Sequence, residues 1–183
     1  MPDIFDLFPV LHTPRLDLIE ITQEHLKDVY RLFTDERVTK YYDVIPLNEE
    51  ADAQKILDIL SARYKNKAGM RWGIALKGHK EIIGNLGFNS FTPGHRSTIG
   101  YSIEHEYWNK GYTTEAIAAI LDFGFTELGV NRIEAEVMPG NIASEQVLKK
   151  LGFAHEGFLR QWMLWGGKYN DINMYALLKR DWL

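Results

Sequence analysis

Residues 106–125 read EYWNKGYTTEAIAAILDFGF, and this stretch joins a polar, glycine-containing loop to a long apolar-periodic run. The apolar residues recur at the three- and four-residue spacing of a helix with one buried face. The pattern predicts a helix from about Tyr112 to Leu128. Its predicted inward face comprises Ala116, Ile117, Ile120, Leu121, Gly124 and Leu128.

The loop before this helix, Asn109 to Thr114, has the composition of an anion-binding site. A helix start leaves backbone N–H groups unpaired and carries about half a positive charge, so a phosphate satisfies both. Gly111 permits close approach of a ligand, Lys110 adds a cation, and Thr113 and Thr114 add hydroxyls. The same residues also suit an ordinary turn and helix cap, because glycine before a helix is common. The local chemistry leaves both interpretations open.

The rest of the chain alternates between strand and helix patterns. Strands are predicted at 15–21, 70–77, 81–91, 96–104, 131–138, about 153–164 and 169–178. Helices are predicted at 22–33, 47–67, 112–128 and 141–151, with Asn48 capping the second and Asn141 capping the last. This order is typical of an α/β sandwich around one mixed sheet and differs from a regular βαβ repeat.

Length and composition limit the class of protein. The 183 residues predict one domain, 1–183, that is large enough to bury a core. A net charge of −4 gives no global reason to expect a nucleic-acid or membrane partner. No apolar run approaches the roughly 18 to 20 residues of a membrane span. Cysteine is absent, which excludes disulfides and Cys-ligated metals and fits the cytoplasm, and the histidines lack metal-ligand spacing.

Two separated motifs resemble those of a known enzyme superfamily: IGYSIEHEYWNKGYTTEA at 99–116 and MPGNIASEQVLKKLGF at 138–153. In this order they resemble the GNAT superfamily of acetyl-CoA-dependent N-acetyltransferases, most closely its ribosomal-protein-alanine N-acetyltransferase branch. The resemblance continues into TPRLDLIEIT at 13–22 and NMYALLKRDW at 173–182. It implies a single-domain α/β fold whose mixed, mostly antiparallel sheet is split between two parallel strands and flanked by helices. Acetyl-CoA would lie in the split.

The resemblance also implies which residues bind acetyl-CoA. Backbone amides of the loop would hold the diphosphate. The strand 100–103 beside the split would pair its backbone with the pantetheine arm, and an amide near Ile103 would polarise the thioester carbonyl. Asn141 and Ser144 would approach from the other side. Lys149 or Lys150 would reach the adenosine phosphates, although helix-end lysines are often merely solvated. The implied set comprises Tyr101, Ile103, Asn109, Lys110, Gly111, Tyr112, Thr113, Thr114, Asn141, Ser144 and Lys149.

Two loop positions depart from the pattern of the wider superfamily. Trp108 stands where many members have Arg or Gln, and Thr113 stands where many have Gly or Ala. A β-branched residue still presents its backbone N–H, so we expect acetyl-CoA binding to survive the presence of Thr113.

No residue pattern indicates a covalent nucleophile, so direct attack of an amine on the thioester is the simplest mechanism. The resemblance implies Ser144 as the proton donor to the departing thiolate; alternatively, Ser144 only bonds the backbone near its helix start. Tyr175 is a second candidate donor, although it also suits the core. Glu104 and Glu136 are the candidate bases, although each also suits a solvated or salt-bridged carboxylate.

The absence of an evident strong base favours one class of acceptor. A peptide α-amine has a pKa of about 7.7–8.0, whereas a lysine amine at about 10.4 needs about 4 kcal/mol to be deprotonated near pH 7.4. We therefore expect the acceptor to be a protein N-terminus, such as that of a ribosomal protein. We expect the enzyme itself to be a monomer or a homodimer. A small-molecule amine (an antibiotic or a polyamine) and a non-catalytic CoA-binding sensor remain alternatives. Candidate aromatic walls of the acceptor groove are Tyr41, Tyr42, Trp72, Trp162 and Trp165.

Overall fold

One eight-stranded sheet forms the centre of the computed structural model, which describes residues 4–42 and 44–182. The strands are β1 (Leu11–His12), β2 (Leu16–Glu20), β3 (Met70–Leu76), β4 (Ile82–Thr92), β5 (Arg96–Ile103), β6 (Arg132–Val137), β7 (Ala154–Trp165) and β8 (Lys168–Leu178). The helices are α1 (Leu26–Thr34), α2 (Glu36–Thr39), α3 (Glu50–Lys65), α4 (Tyr112–Thr126), α5 (Ile142–Lys150) and α6 (Lys179–Trp182). Short 3-10 turns lie at Gln23–His25 and His105–Tyr107. The strand order is β1-β2-β3-β4-β5-β6-β8-β7.

The sheet parts between β5 and β6, the two strands that run parallel. Every other neighbouring pair of these strands is antiparallel. β5 and β6 pair only over Arg96–Ile99 and Arg132–Ala135. Residues 100–103 continue to pair with β4, so their other edge faces a gap. The predicted α/β fold, with a mixed sheet split at a parallel pair, is confirmed.

Helix α4 joins the two parallel strands and packs against the sheet. Ile117 and Ile120 of this helix are fully buried in one cluster with Trp72, Phe88 and Ile133. Burial of such side chains stabilises the fold by about 1.5–3 kcal/mol each. This packing fixes the start of α4 beside the gap.

Helices α1 and α3 form a second apolar cluster. Val29 and Leu32 of α1 pack with Ala53 and Leu57 of α3 and with Ile82 of β4. The connection between these helices contains α2. Because both helices are anchored, the connection lies beside the gap, and residues 37, 38 and 40–42 line its cavity.

The start of α3 differs from its prediction. The helix begins at Glu50 and has no side-chain cap, so the prediction of Asn48 as its cap is wrong. The preceding segment is bound to α1 instead. The carbonyl of Asn48 accepts a hydrogen bond from the Tyr30 hydroxyl (3.2 Å), and the Leu47 N–H donates to the carbonyl of Phe33 (3.0 Å). These contacts between distant residues delay the helix start.

Other helix ends agree better with the sequence patterns. Asn141 caps α5 as predicted, because its side-chain oxygen accepts from the backbone N–H of Ser144 at 3.3 Å. Helix α4 ends at Thr126, slightly before its predicted end. The short helix α2 was not predicted; the Asp35 side chain caps it by accepting from the N–H of Arg37 (2.9 Å).

Candidate active site

A cavity of about 760 Å³ opens where β5 and β6 part. Its walls come from β5, the loop before α4, the end of β6, the start of α5 and the segment 37–42. Of the residues predicted from the sequence, it brings together Tyr101, Ile103, Asn109, Gly111, Thr113, Thr114, Glu136, Asn141 and Ser144. Of the implied acetyl-CoA-binding set and the two candidate bases, four residues lie outside its lining: Glu104, Lys110, Tyr112 and Lys149. The two sequence motifs therefore share one cavity.

The start of α4 presents free backbone donors to this cavity. Gly111 is the N-cap, with a left-handed φ of +79° that glycine adopts without steric cost. The first backbone bond of the helix runs from the N–H of Glu115 to the carbonyl of Gly111 (3.1 Å), and no side chain caps the helix. The amides of residues 112–114 therefore have no acceptor among the described residues. Such donors, at the positive end of a helix dipole, suit a diphosphate.

A carboxylate in the first turn of α4 holds this loop in place. Glu115 accepts hydrogen bonds from the Thr13 hydroxyl (2.6 Å), the Arg15 backbone N–H (2.9 Å) and the Arg15 guanidinium (2.6 Å). The guanidinium also donates to the carbonyl of Lys110 at 2.9 Å. Burial raises the pKa of Glu115, but the bonds from Thr13 and Arg15 outweigh burial and hold the pKa below its ordinary value.

Sequence reasoning missed the Arg15–Glu115 pair. The available signal was an acid in the first turn of a helix, where the helix dipole favours negative charge. The partners lie about a hundred positions away in the chain, so no local spacing indicates the contact.

The free edge of β5 has its own polar groups. The Glu104 N–H donates to the carbonyl of Ile83 on β4 (2.9 Å). Because backbone groups alternate sides along an antiparallel strand, the N–H groups of Ile103 and Tyr101 face the gap. The carbonyl of Ile103 accepts from the Trp108 indole N–H at 2.8 Å. Trp108, which departs from the superfamily pattern, thus fixes the loop to the end of β5.

A hydrogen bond between two hydroxyls joins β5 to α5. The Tyr101 hydroxyl and the Ser144 Oγ lie 2.6 Å apart, and both residues line the cavity. Burial raises the pKa of Tyr101 to about 12, although the bond to Ser144 acts in the opposite direction. The backbone N–H of Ser144 also donates to Asn141, so Ser144 takes part in the helix cap while its hydroxyl stays at the cavity wall.

The two candidate bases have different surroundings. Glu104 accepts from the Arg31 guanidinium (2.7 Å), which also pairs with Asp28 (2.9 Å). Burial raises the pKa of Glu104, and the Arg31 charge opposes that rise. Glu136 is exposed, lines the cavity and accepts from the Trp162 indole N–H at 3.0 Å. Only Glu136 of the two therefore has direct access to the cavity.

The lysines at the end of α5 also differ. Lys149 lies 3.4 Å from a Glu145 carboxylate oxygen and over the ring of Tyr175. Lys150 lines the cavity. Tyr175 is 2% exposed, lies in the core and does not line the cavity. The geometry favours Lys150 over Lys149 as a contact for an anionic ligand in the cavity.

A second cavity of about 510 Å³ adjoins the first and shares Lys40 and Tyr41 with it. Trp165 lines this second cavity, and Tyr42 lines the first. Trp72 is fully buried in the core, so it cannot form a groove wall. Of the five candidate groove walls, Tyr41, Tyr42 and Trp165 therefore line one or both cavities.

The described residues contain neither a metal-binding cluster nor a membrane-spanning helix. Within residues 4–42 and 44–182, no group of three or more His, Cys, Asp or Glu side chains is arranged to hold a metal ion. No helix in the same ranges is both long enough and apolar enough to cross a membrane.

Comparison with known proteins identifies the class of protein to which this split sheet and open helix start belong. The profile of the Acetyltransferase (GNAT) domain matches residues 15–154, so the chain belongs to the GNAT acetyltransferase family. It is an N-acetyltransferase with acetyl-CoA as its co-substrate, and the free amides of residues 112–114 fit the diphosphate of that molecule.

Particular relatives place the chain within the family. It is 38% identical over 174 residues to "Uncharacterized N-acetyltransferase YoaA" of Bacillus subtilis (strain 168), covering 94% of this chain and 98% of that protein. It is 31% identical over 131 residues to the ribosomal protein uS5-alanine N-acetyltransferase of Escherichia coli (strain K12), covering 70% and 68%. A structure of RimL, a ribosomal L7/L12 alpha-N-protein acetyltransferase, in complex with coenzyme A superposes with a TM-score of 0.82 at 20% identity, covering 93% and 98%. That likeness shows a shared fold.

Proposed function

We propose that this N-acetyltransferase transfers the acetyl group to the N-terminal α-amine of a protein, such as a ribosomal protein. The observation that carries the proposal is the set of titratable groups around the cavity. Among the described residues that line it, Glu136 is the one carboxylate, and none is a histidine. Glu136 is exposed and hydrogen-bonded to Trp162. The site therefore offers little basic strength.

A weak base suits an amine that loses its proton readily. At pH 7.4 roughly a fifth to a third of peptide α-amines are neutral, compared with about one lysine side chain in a thousand. An α-amine needs only a weak base or water to complete its deprotonation, whereas a lysine or polyamine needs about 4 kcal/mol from the site. The proposal follows from this difference.

In the proposed reaction the neutral amine attacks the thioester carbonyl, so an N–C bond forms and the C–S bond breaks. The amides of residues 112–114 and the Lys150 ammonium hold the phosphates of acetyl-CoA. The Ile103 N–H stabilises the negative charge on the carbonyl oxygen. Ser144 donates its hydroxyl proton to the departing sulfur, and Glu136 accepts the proton of the new ammonium through water.

The comparisons support the choice of first acceptor. A relative that matches 70% of the chain is named for acetylation of an alanine of ribosomal protein uS5. An N-terminal alanine is therefore the first acceptor to test. A cytoplasmic location, expected from the absence of cysteine, remains part of the proposal.

Thiol release from acetyl-CoA tests the proposal directly. The acceptors are peptides that begin with Ala or Ser, the same peptides with a formylated N-terminus, spermidine and free lysine. We expect free peptides to react at least about ten times faster than spermidine or lysine, because more of their amine is neutral. We expect no reaction with the formylated peptides.

Two results would contradict the proposal. Faster turnover of spermidine or lysine would indicate a small-molecule acetyltransferase. Tight binding of acetyl-CoA with no thiol release on any amine would indicate a sensor.

A further inference from the structure

The Tyr101 side chain has no role in the reaction proposed above, and so far only the backbone N–H of Tyr101 has been placed at the gap. Its hydroxyl nevertheless lies 2.6 Å from the Ser144 Oγ, at the wall of the cavity. The contact joins β5 to α5, so it links the two sides of the gap in which the thioester would lie.

We propose that Tyr101 is a positioning residue: its hydroxyl donates to the Ser144 Oγ and turns the serine proton toward the cavity, where the departing thiolate needs it. This inference rests on the proposed function, because it assigns a partner to the proton donor of that reaction.

The direction of the hydrogen bond follows from the acidity of the two groups. A phenol is a stronger acid than an aliphatic alcohol, so it is the better donor of the pair. Burial raises the pKa of Tyr101 to about 12, so the phenol keeps its proton throughout the ordinary working range of pH. A serine hydroxyl has one proton and two acceptor sites. When Ser144 accepts from Tyr101, its own proton is free to point elsewhere.

The backbone of Ser144 is already fixed, which leaves its hydroxyl rotation as the remaining freedom. The N–H of Ser144 donates to the Asn141 side chain, which holds the residue in the first turn of α5. In that position the helix dipole stabilises negative charge on the serine oxygen. The bond from Tyr101 selects one rotation of the hydroxyl and stabilises the same charge.

The proton balance of the step is closed by solvent. As the C–S bond breaks, the sulfur takes the Ser144 proton and the serine oxygen takes a proton from water in the same step, so no free serine alkoxide forms. The acetylated ammonium loses one proton to Glu136 and water. Tyr101 keeps its own proton throughout, which distinguishes a positioning residue from a proton donor.

The test compares Tyr101→Phe, Ser144→Ala and the double variant in the thiol-release assay with an Ala-initiated peptide. We expect Tyr101→Phe to lower kcat about tenfold and Ser144→Ala to lower it about a hundredfold. The KM values for acetyl-CoA and peptide should stay within about twofold, because a hydroxyl that acts on the leaving group contributes little to ground-state binding. The double variant should match Ser144→Ala alone, since Tyr101 acts through Ser144.

Tyr64→Phe is the matched control. It also removes a phenol, one that donates to the Phe5 carbonyl at 3.3 Å, and Tyr64 does not line the cavity. Its kcat should equal that of the wild type. Calorimetry with acetyl-CoA then confirms that each variant is folded and binds.

Three outcomes would overturn the inference. They are an unchanged kcat in Tyr101→Phe, a change in KM alone, and losses that multiply in the double variant. In all three the wild type still turns over, so the proposed function stands. Absence of thiol release by the wild type on every amine overturns the proposed function and the inference with it.

Discussion

Glu115 provides the sharpest test of how the loop before α4 is held. Its carboxylate accepts three hydrogen bonds from Thr13 and Arg15, and Arg15 in turn donates to the carbonyl of Lys110 within the loop. In Glu115→Gln one of the carboxylate oxygens becomes an amide nitrogen. Depending on the orientation of the amide, its NH2 group then faces the Thr13 hydroxyl and the Arg15 backbone N–H, or it faces the Arg15 guanidinium. The negative charge of the Glu115 carboxylate is lost in both cases.

The expected size of the effect follows from these bonds. A hydrogen bond to a charged group contributes about 1.5–3 kcal/mol, and partial exposure reduces that figure. The Glu115 side chain is 15% exposed, while that of Arg15 is 49% exposed. We expect Glu115→Gln to lower the free energy of unfolding by about 2 kcal/mol, or Tm by about 4–8 °C for a chain of this size. A less ordered loop should also weaken acetyl-CoA binding about tenfold, equivalent to about 1.4 kcal/mol.

The pH dependence gives the effect a recognisable signature. The pKa of Glu115 in the folded chain is lowered relative to its value in the unfolded chain, where an ordinary Glu has a pKa of about 4.3. Its contribution to stability is therefore complete above that value and is lost as pH falls through the folded pKa. The difference between wild type and Glu115→Gln should stay constant from about pH 6 to 8 and close below about pH 4.

Urea unfolding and isothermal titration with acetyl-CoA measure both quantities. Asp52→Asn is the matched control, because it removes a partly exposed carboxylate that pairs with Lys55 (2.7 Å) away from the cavity. We expect the control to match the wild type in both assays. If Glu115→Gln unfolds at the wild-type urea concentration and binds acetyl-CoA with wild-type affinity, Glu115 does not hold the loop in place.

Two further substitutions, Gly111→Ala and Lys150→Met, test the same site, and each has a matched control. Gly111→Ala places a side chain on a left-handed backbone (φ +79°), with its Cβ 3.3 Å from the Arg15 guanidinium. We expect this change to lower the free energy of unfolding by about 1–2 kcal/mol and to weaken acetyl-CoA binding in titration. Gly129→Ala, at φ +64° with nothing within 4 Å, should cost similar stability but leave binding unchanged; equal binding losses would contradict a special role for the loop. Lys150→Met should raise the KM for acetyl-CoA several-fold, and more strongly at low salt, because Lys150 lines the cavity. Lys149→Met should leave this KM unchanged. The reverse result would show that Lys149, and not Lys150, contacts the cofactor.

Sequence periodicity predicted the strands, the helices and a mixed sheet, while the split between two parallel strands was predicted from the family resemblance. The alternation in 96–104 and the helical spacing in 112–128 each come from residues that bury one face, and burial dominates local structure. The positions of β5, α4 and α5 therefore agree closely with prediction, as does the cap of α5 by Asn141. The short helix α2 escaped prediction because four residues carry too little periodicity.

The contacts that organise the site depend on the fold and not on spacing. Arg15 reaches Glu115 only after β2 and α4 have docked, and Tyr101 reaches Ser144 only across the gap. The prediction of Asn48 as a cap failed for the same reason, since Tyr30 and Phe33 bind the segment before α3. Residue types indicated the chemistry of the site, while the pairs that orient it required the three-dimensional arrangement.

We infer that the free amides at the start of α4 hold the diphosphate of acetyl-CoA and so direct its thioester toward Ser144. A crystal structure of the chain with acetyl-CoA would reveal whether these contacts form. We expect phosphate oxygens about 2.7–3.2 Å from the backbone nitrogens of residues 112–114, with the acetyl group between the Ile103 N–H and the Ser144 hydroxyl. A cofactor bound elsewhere, or a diphosphate that makes no contact with these amides, would contradict this inference.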